Sequence, residues 1–305
     1  MKTVPASEPA GPAPRPSVPV VHTAKEHTAE SLAADLAALG VEPGEVLWVQ
    51  AGLRSVGPVA GGAATVVRAL LEALGGPGLG TLVTYTATPE NSDTSRLAAR
   101  LTEGLTPAEL AAHRAAMPAF DPRTTPASPT MGRLAEQIRR TPGAARSNHP
   151  QTSFAAVGVH AGRITATHEL DCHLGESSPL GRLYELAARV LLVDVPLSRL
   201  TAFHLADLRA AEPSMRSYGC VVTDGTGQPR WQHFQAPDLD DQHFGELADA
   251  LLGADALLGA GAAVRSGRLG DADCLLVPVV AAVDVAGRVL RGRAGPARTA
   301  AAPQD

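Results

Sequence analysis

The sequence predicts one α/β domain built on a buried, at least partly parallel sheet. Three observations carry that expectation. Short apolar runs alternate with amphipathic stretches of helical period. The runs are apolar at consecutive positions, as in Val190-Leu191-Leu192-Val193, rather than at every second one. No clear linker divides the body of the chain. Strand–helix alternation belongs to α/β layering, and a strand apolar on both faces needs both faces covered. With 305 residues and 45% apolar content, the chain is long enough for one large domain or two small ones.

Residues 1–22 contain six prolines and no periodicity, so a disordered tail is expected there, and another at 291–305, rich in Ala, Pro and Arg. That leaves a domain at 23–290. Residues 24–40 read as a helix, with Leu32, Leu36 and Leu39 on one face and Gly40 as its stop. A strand follows at 46–50, a turn at 60–62, and an amphipathic helix at 63–74 that ends at Gly75-Gly76. Residues 81–85 form a second buried strand. An inserted subregion is expected near 89–126, with a helix at 108–117. Further helices are expected at 130–140, 178–188, 201–210 (Thr201 as N-cap) and 243–252. Further strands are expected at 153–158, 189–195, 220–222 and 275–283.

Composition removes several function classes. No run of about 20 apolar residues exists, so no membrane span is expected. The first 24 residues lack the apolar core of a signal peptide, which points to the cytoplasm. Net charge is −5 without a basic cluster, and aromatics are 3%, so no nucleic-acid footprint is visible. Of 26 basic residues only Lys2 and Lys25 are lysines. The body therefore lacks the lysine of a P-loop, a pyridoxal site or a protein kinase.

Motif tests are equally restrictive. GxGxxG, GxxxxGK[ST] and GxSxG are all absent. Cys172, Cys220 and Cys274 are isolated and read as small buried side chains. His168, Asp171, Cys172 and His173 lie together, but their spacing matches no standard zinc pattern, so no metal is expected. What remains is polar and Gly-rich sequence at strand ends, in 50–62, 146–153 and 168–179, together with His204 and Asp207. Three residues apart on one helix, these two share a face. A carboxylate there could orient an imidazole and support its charged form, as a general base requires; a surface pair is the plain alternative.

Five ordered blocks then resemble the aminoglycoside 3-N-acetyltransferases over roughly residues 25–290. They are Leu39-Gly40-Val41-x-Pro43-Gly44 with residues 53–62; Phe120-Asp121-Pro122-x-x-Thr125-Pro126; Met131-Gly132-x-Leu134-Ala135-Glu136 with Arg146-Ser147-x-His149-Pro150; Ser178-Pro179-x-x-Arg182-Leu183; and Leu200-Thr201-x-x-His204. The resemblance implies a three-layer α/β/α sandwich around a mixed sheet, distinct from the common acetyltransferase fold. It implies acetyl-CoA as donor and an amine of an antibiotic-like small molecule as acceptor, with His204 as the catalytic histidine and Asp207 beside it.

By the same resemblance Arg54, Ser55, Val56, Gly57, Arg146, Ser147, His149 and Ser178 line the coenzyme A channel. With no lysine in the body, Arg54, Arg146 and helix N-termini are expected to take the phosphates. Glu90, Asp93, His168 and Asp171 are expected around the acceptor. The protein is expected as a monomer or homodimer. Three positions depart from the family pattern: Gln50 replaces a His, Asp194 stands where Gly is typical, and Asp207 replaces a Glu. These leave open a biosynthetic acyltransferase acting on another amine, or a non-catalytic coenzyme-binding homologue.

Overall fold

The computed structural model describes residues 26–210, 212–254 and 263–293. The expected tails lie outside these residues, except that Arg291–Arg293 complete a helix. Helix α1 (Ala29–Leu39) starts at Thr28, whose side chain accepts from the Ser31 amide while Ser31 accepts from the Thr28 amide. It ends at Gly40, whose φ of 95° is left-handed, a conformation that costs glycine nothing. Its buried stripe is Ala29, Leu32, Leu36 and Leu39.

Strand β1 (Val46–Ala51), α2 (Ala63–Ala73) and β2 (Thr81–Tyr85) come next. The segment at 89–126 holds α3 (Arg96–Leu101) and α4 (Pro107–Ala116). After it come α5 (Gly132–Arg139), β3 (Ala145–Arg146), β4 (Phe154–Gly158), α6 (Ala161–Thr165), α7 (Pro179–Glu185) and β5 (Arg189–Val193). The chain continues through α8 (Phe203–Ala210), the hairpin β6 (Met215–Thr223) and β7 (Pro229–Pro237), and α9 (Phe244–Ala254). It closes with β8 (Arg265–Leu269), β9 (Ala272–Pro278) and α10 (Val279–Arg293).

The main sheet has the order β3-β4-β2-β1-β5-β9-β8, and β6-β7 pair apart from it. β1 runs parallel to β2 on one side and to β5 on the other. β4, β9 and the two edge strands are antiparallel to their neighbours. The sheet is mixed, and its parallel centre is where the consecutively apolar runs lie. Alternation along each strand divides the core in two. Trp48, Val83, Phe154, Val190 and Leu192 pack with α7, α8, α9 and α10. Leu47, Val49, Leu82, Leu191 and Val193 pack with α1, α2 and α5. Each fully buried side chain of this kind adds roughly 2 kcal/mol.

Three expectations need correction. Residues 279–283 are helix, not strand: β9 stops at Pro278 and α10 begins at Val279. An uninterrupted apolar run cannot distinguish a buried strand from a buried helix. Thr201 does not cap α8, which starts at Phe203; its hydroxyl instead accepts from Gln50 Nε2 at 3.0 Å. The strand expected at 220–222 is nine residues long and pairs with β7. Polar β7 offered no apolar run to read; Asn91, Asp93 and Gln151 clip the hairpin in place through its backbone.

Candidate active site

Because β1 has its two parallel partners on opposite sides, the connections leaving β1 and β5 diverge and leave a crevice beyond their carboxyl ends. Open α/β sheets bind ligands at such a point. Two cavities occupy it. The outer one, about 730 Å³, is lined by Gly52, Leu53, Arg54, Ser55, Gly57, Gly62, Ala63 and, across the opening, by Thr130, Met131, Gly132 and Arg133. The inner one, about 290 Å³, is lined by Gln50, Tyr85, Leu134, Val195 and Thr201. They share Ala51, Thr130 and Met131, and so form one path from the surface to the end of the sheet.

The path's walls are built for anions and for close approach. Helix α2, eleven residues long, opens at Gly62 with no side chain capping its first amides, and Gly62 and Ala63 line the cavity at the positive end of the helix dipole. Arg54 is exposed beside them. Gly57 has φ 85°, and a Cβ there would collide with the Asp271 carboxylate. Across the crevice, Asp194 takes φ 50° and its carboxylate accepts from the Ser55 hydroxyl. The left-handed backbone at Asp194 explains why glycine suits this position, and why a short Asx side chain is the tolerable substitute.

His204 lies one turn beyond Thr201, at the start of α8. Its ring meets the Phe244 ring edge-on with centroids 4.7 Å apart. Burial pulls its pKa down to about 4, helped by the neighbouring charge of His243, against a smaller upward pull from Asp241 and Asp240. The imidazole is therefore neutral at pH 7, free to accept a proton. The contact expected between Asp207 and His204 is not the one formed. Asp207 Oδ1 sits 2.7 Å from His243 Nε2, and both side chains are one-quarter exposed. His243 was not singled out by sequence, since only the fold brings residues 36 apart together here.

Several residues expected at the coenzyme channel lie elsewhere. Arg146 is buried, and its guanidinium donates to Thr86 Oγ1, Ser153 Oγ, the Thr86 carbonyl and the Thr125 carbonyl. Burial pulls its pKa down to about 10. It holds strands and the 89–126 segment together rather than facing a cavity. The Ser147 hydroxyl lies 2.9 Å from His168 Nδ1, and Ser178 caps α7 while donating to Gly175. His149 Nδ1 accepts from the amides of Gln151 and Thr152. Val56 contributes its side chain to the core. Of this group, Arg54, Ser55 and Gly57 line the outer cavity.

The expected acceptor residues also separate. His168 is buried, with Nε2 donating to the His173 carbonyl and Nδ1 left to accept from Ser147. Asp93 accepts from the Gly219 amide and belongs to the hairpin clip. Asp171 is exposed. Glu90 lines a third cavity of about 240 Å³, with Phe120, Met117 and Ser128; that cavity adjoins the outer one at Pro129. The two fully buried thiols, Cys220 and Cys274, are pushed up to about 12, which makes them poor nucleophiles.

A family model described as aminoglycoside 3-N-acetyltransferase matches residues 48–291. Aminoglycoside N(3)-acetyltransferase III of Serratia marcescens is 39% identical over 217 residues, which is 70% of this chain and 76% of that protein. The structure of YokD protein from Bacillus subtilis matches with a TM-score of 0.79 and 30% identity, over 90% of this chain and 97% of that one. AAC-IIIb in its binary complex with CoASH matches with a TM-score of 0.73 and 32% identity, over 88% and 98% of the two chains.

Proposed function

This chain belongs to the aminoglycoside 3-N-acetyltransferase family and is an acyltransferase, and from that premise we propose that it moves the acetyl group of acetyl-CoA directly onto an amine of an aminoglycoside-type antibiotic, with His204 as general base. The observation that carries this reading is the continuous path at the end of β1. It opens at Arg54 and the α2 N-terminus and closes at Thr201, one turn from a neutral imidazole.

The residues divide the work along that path. Arg54, Arg133 and the first amides of α2 suit the phosphates of the donor, with no lysine among the described residues. Ser55 and Gly57 border its entry. The thioester supplies an activated acyl group. An acceptor amine in water is mostly ammonium and cannot attack it. His204 takes the proton, and such a base contributes typically 10²–10⁴-fold. Asp241 and Asp240 border the imidazole with negative charge, Asp207 sits one turn along the same helix against His243, and Glu90 offers a carboxylate in the adjoining cavity. Carboxylates so placed favour a polycationic acceptor. The layering of the two core clusters on the sheet supports reading the fold as a three-layer α/β/α sandwich separate from the common acetyltransferase fold.

The test is thiol release from acetyl-CoA across a panel of aminoglycosides and unrelated primary amines. Turnover with aminoglycosides supports the proposal. Turnover confined to unrelated amines assigns the same site to a biosynthetic acyltransferase, and coenzyme binding without turnover on any amine rejects catalysis.

A further inference from the structure

The Asp207–His243 pair stands in a site where one imidazole was expected and two are found. His204 and Asp207 are three residues apart on α8 and share a face. Just before α9, the chain brings Asp240, Asp241 and His243 against that face. The Phe244 ring touches both imidazoles, 4.7 Å from His204 and 5.2 Å from His243. Among the described residues, the carboxylates that act on His204, Asp241 and Asp240, are engaged elsewhere, and so is Asp207 one turn along α8. Asp241 pairs with Arg199 at 2.9 Å, Asp240 accepts from the Gln242 amide at 3.0 Å, and Asp207 pairs with His243 at 2.7 Å. His204 has no side-chain hydrogen bond among the described residues.

From this geometry we propose that His243 is a positioning residue for acetyl transfer, which sets the basicity of His204 by competing with it for the single carboxylate of Asp207. The proposal deepens the reading of His204 as the base and rests on it. The short carboxylate of Asp207 is held by the imidazole of the neighbouring segment. While it is held, His204 has only indirect support from acidic groups. When Asp207 turns to His204, the imidazolium gains an anion at contact distance, which favours the charged form. Among the described residues the other charged groups acting here are His173, which faces His204 from the 168–178 loop; Glu246 on α9, which acts on His243 and pairs with Arg293; and Arg293 and Asp240, which act on Asp207.

The experiment is an NMR titration of the imidazole protons in the full chain, with His204 assigned by its absence in His204→Ala. His243→Phe should free Asp207 and raise the His204 pKa by about one pH unit or more. Adding Asp207→Asn to that variant should cancel the rise. His243→Gln, which keeps a donor toward Asp207, should hold His204 near its original value, and His243→Ala replaces the Phe variant if the larger ring does not fold. Asp207→Asn alone should leave His204 nearly unmoved. The acid limb of kcat/KM should shift in parallel. An unmoved His204 titration in His243→Phe, or a rise that survives Asp207→Asn, overturns the proposal. Failure of the transferase reading shows separately, as wild-type protein that releases no thiol, and the titration still decides the role of His243.

Discussion

Replacing His173 by Phe should make the protein more resistant to acid. His173 is 2% exposed and packed against the rings of Tyr218 and His149, with centroids 4.5 and 4.8 Å away. Its Nε2 is buried with no hydrogen-bond partner. Burial pulls its pKa down to about 4, helped by the neighbouring His168 and His204. An unfolded histidine titrates near 6.5. Between these values the unfolded chain binds a proton that the folded chain refuses, so stability present above pH 6.5 is lost as pH falls toward 4.

Going from pH 7.5 to pH 5, this one group costs about 2 kcal/mol, a large fraction of a typical 5–15 kcal/mol. Urea unfolding of wild type and His173→Phe at both pH values isolates it, because every other titrating group is shared. The variant should gain about 2 kcal/mol relative to wild type on going to pH 5. A difference between the two proteins that is the same at pH 7.5 and pH 5 would refute the reasoning.

Other outcomes follow from the same geometry. Arg54→Ala should raise the KM for acetyl-CoA by roughly tenfold with kcat little changed, since a lost charged contact is worth about 1.5–3 kcal/mol; steady-state kinetics checks it. Arg146→Leu should instead destabilise by about 3 kcal/mol or more, because it strips partners from a buried network, which thermal or urea unfolding would show. Asn91→Ala removes both bonds that hold the Val221 backbone, so limited proteolysis should cut first within the β6–β7 hairpin.

The parts of the fold that sequence exposes are those where one physical signal acts alone. The parallel strands could be read because their burial on both faces demands unbroken apolar runs, and α1 because Gly40 and the Leu32, Leu36, Leu39 spacing leave no other solution. Residues 279–283 misled because burial on all sides erases the period that separates helix from strand. The hairpin was only partly visible because it is held by side chains from the 89–126 segment and the 151 region, far away in sequence. The site shows the same division. Arg54 and Gly57 belong to one short local segment and line the outer cavity together, whereas Arg146 carries the same charge but is buried among Thr86, Ser153 and Thr125, which only the fold reveals. His243 could not be found from sequence, since its pairing with Asp207 spans the whole hairpin.

The most direct test of the central claim is the turnover of His204→Ala beside wild type, with acetyl-CoA and a panel of aminoglycosides, following free thiol and the acetylated product together. Wild type should release thiol and acetylated amine in equal amounts, and His204→Ala should bind acetyl-CoA with unchanged affinity while kcat falls by about 10²–10⁴-fold. A variant that turns over at the wild-type rate, or a wild-type enzyme that acetylates no aminoglycoside, would contradict the account.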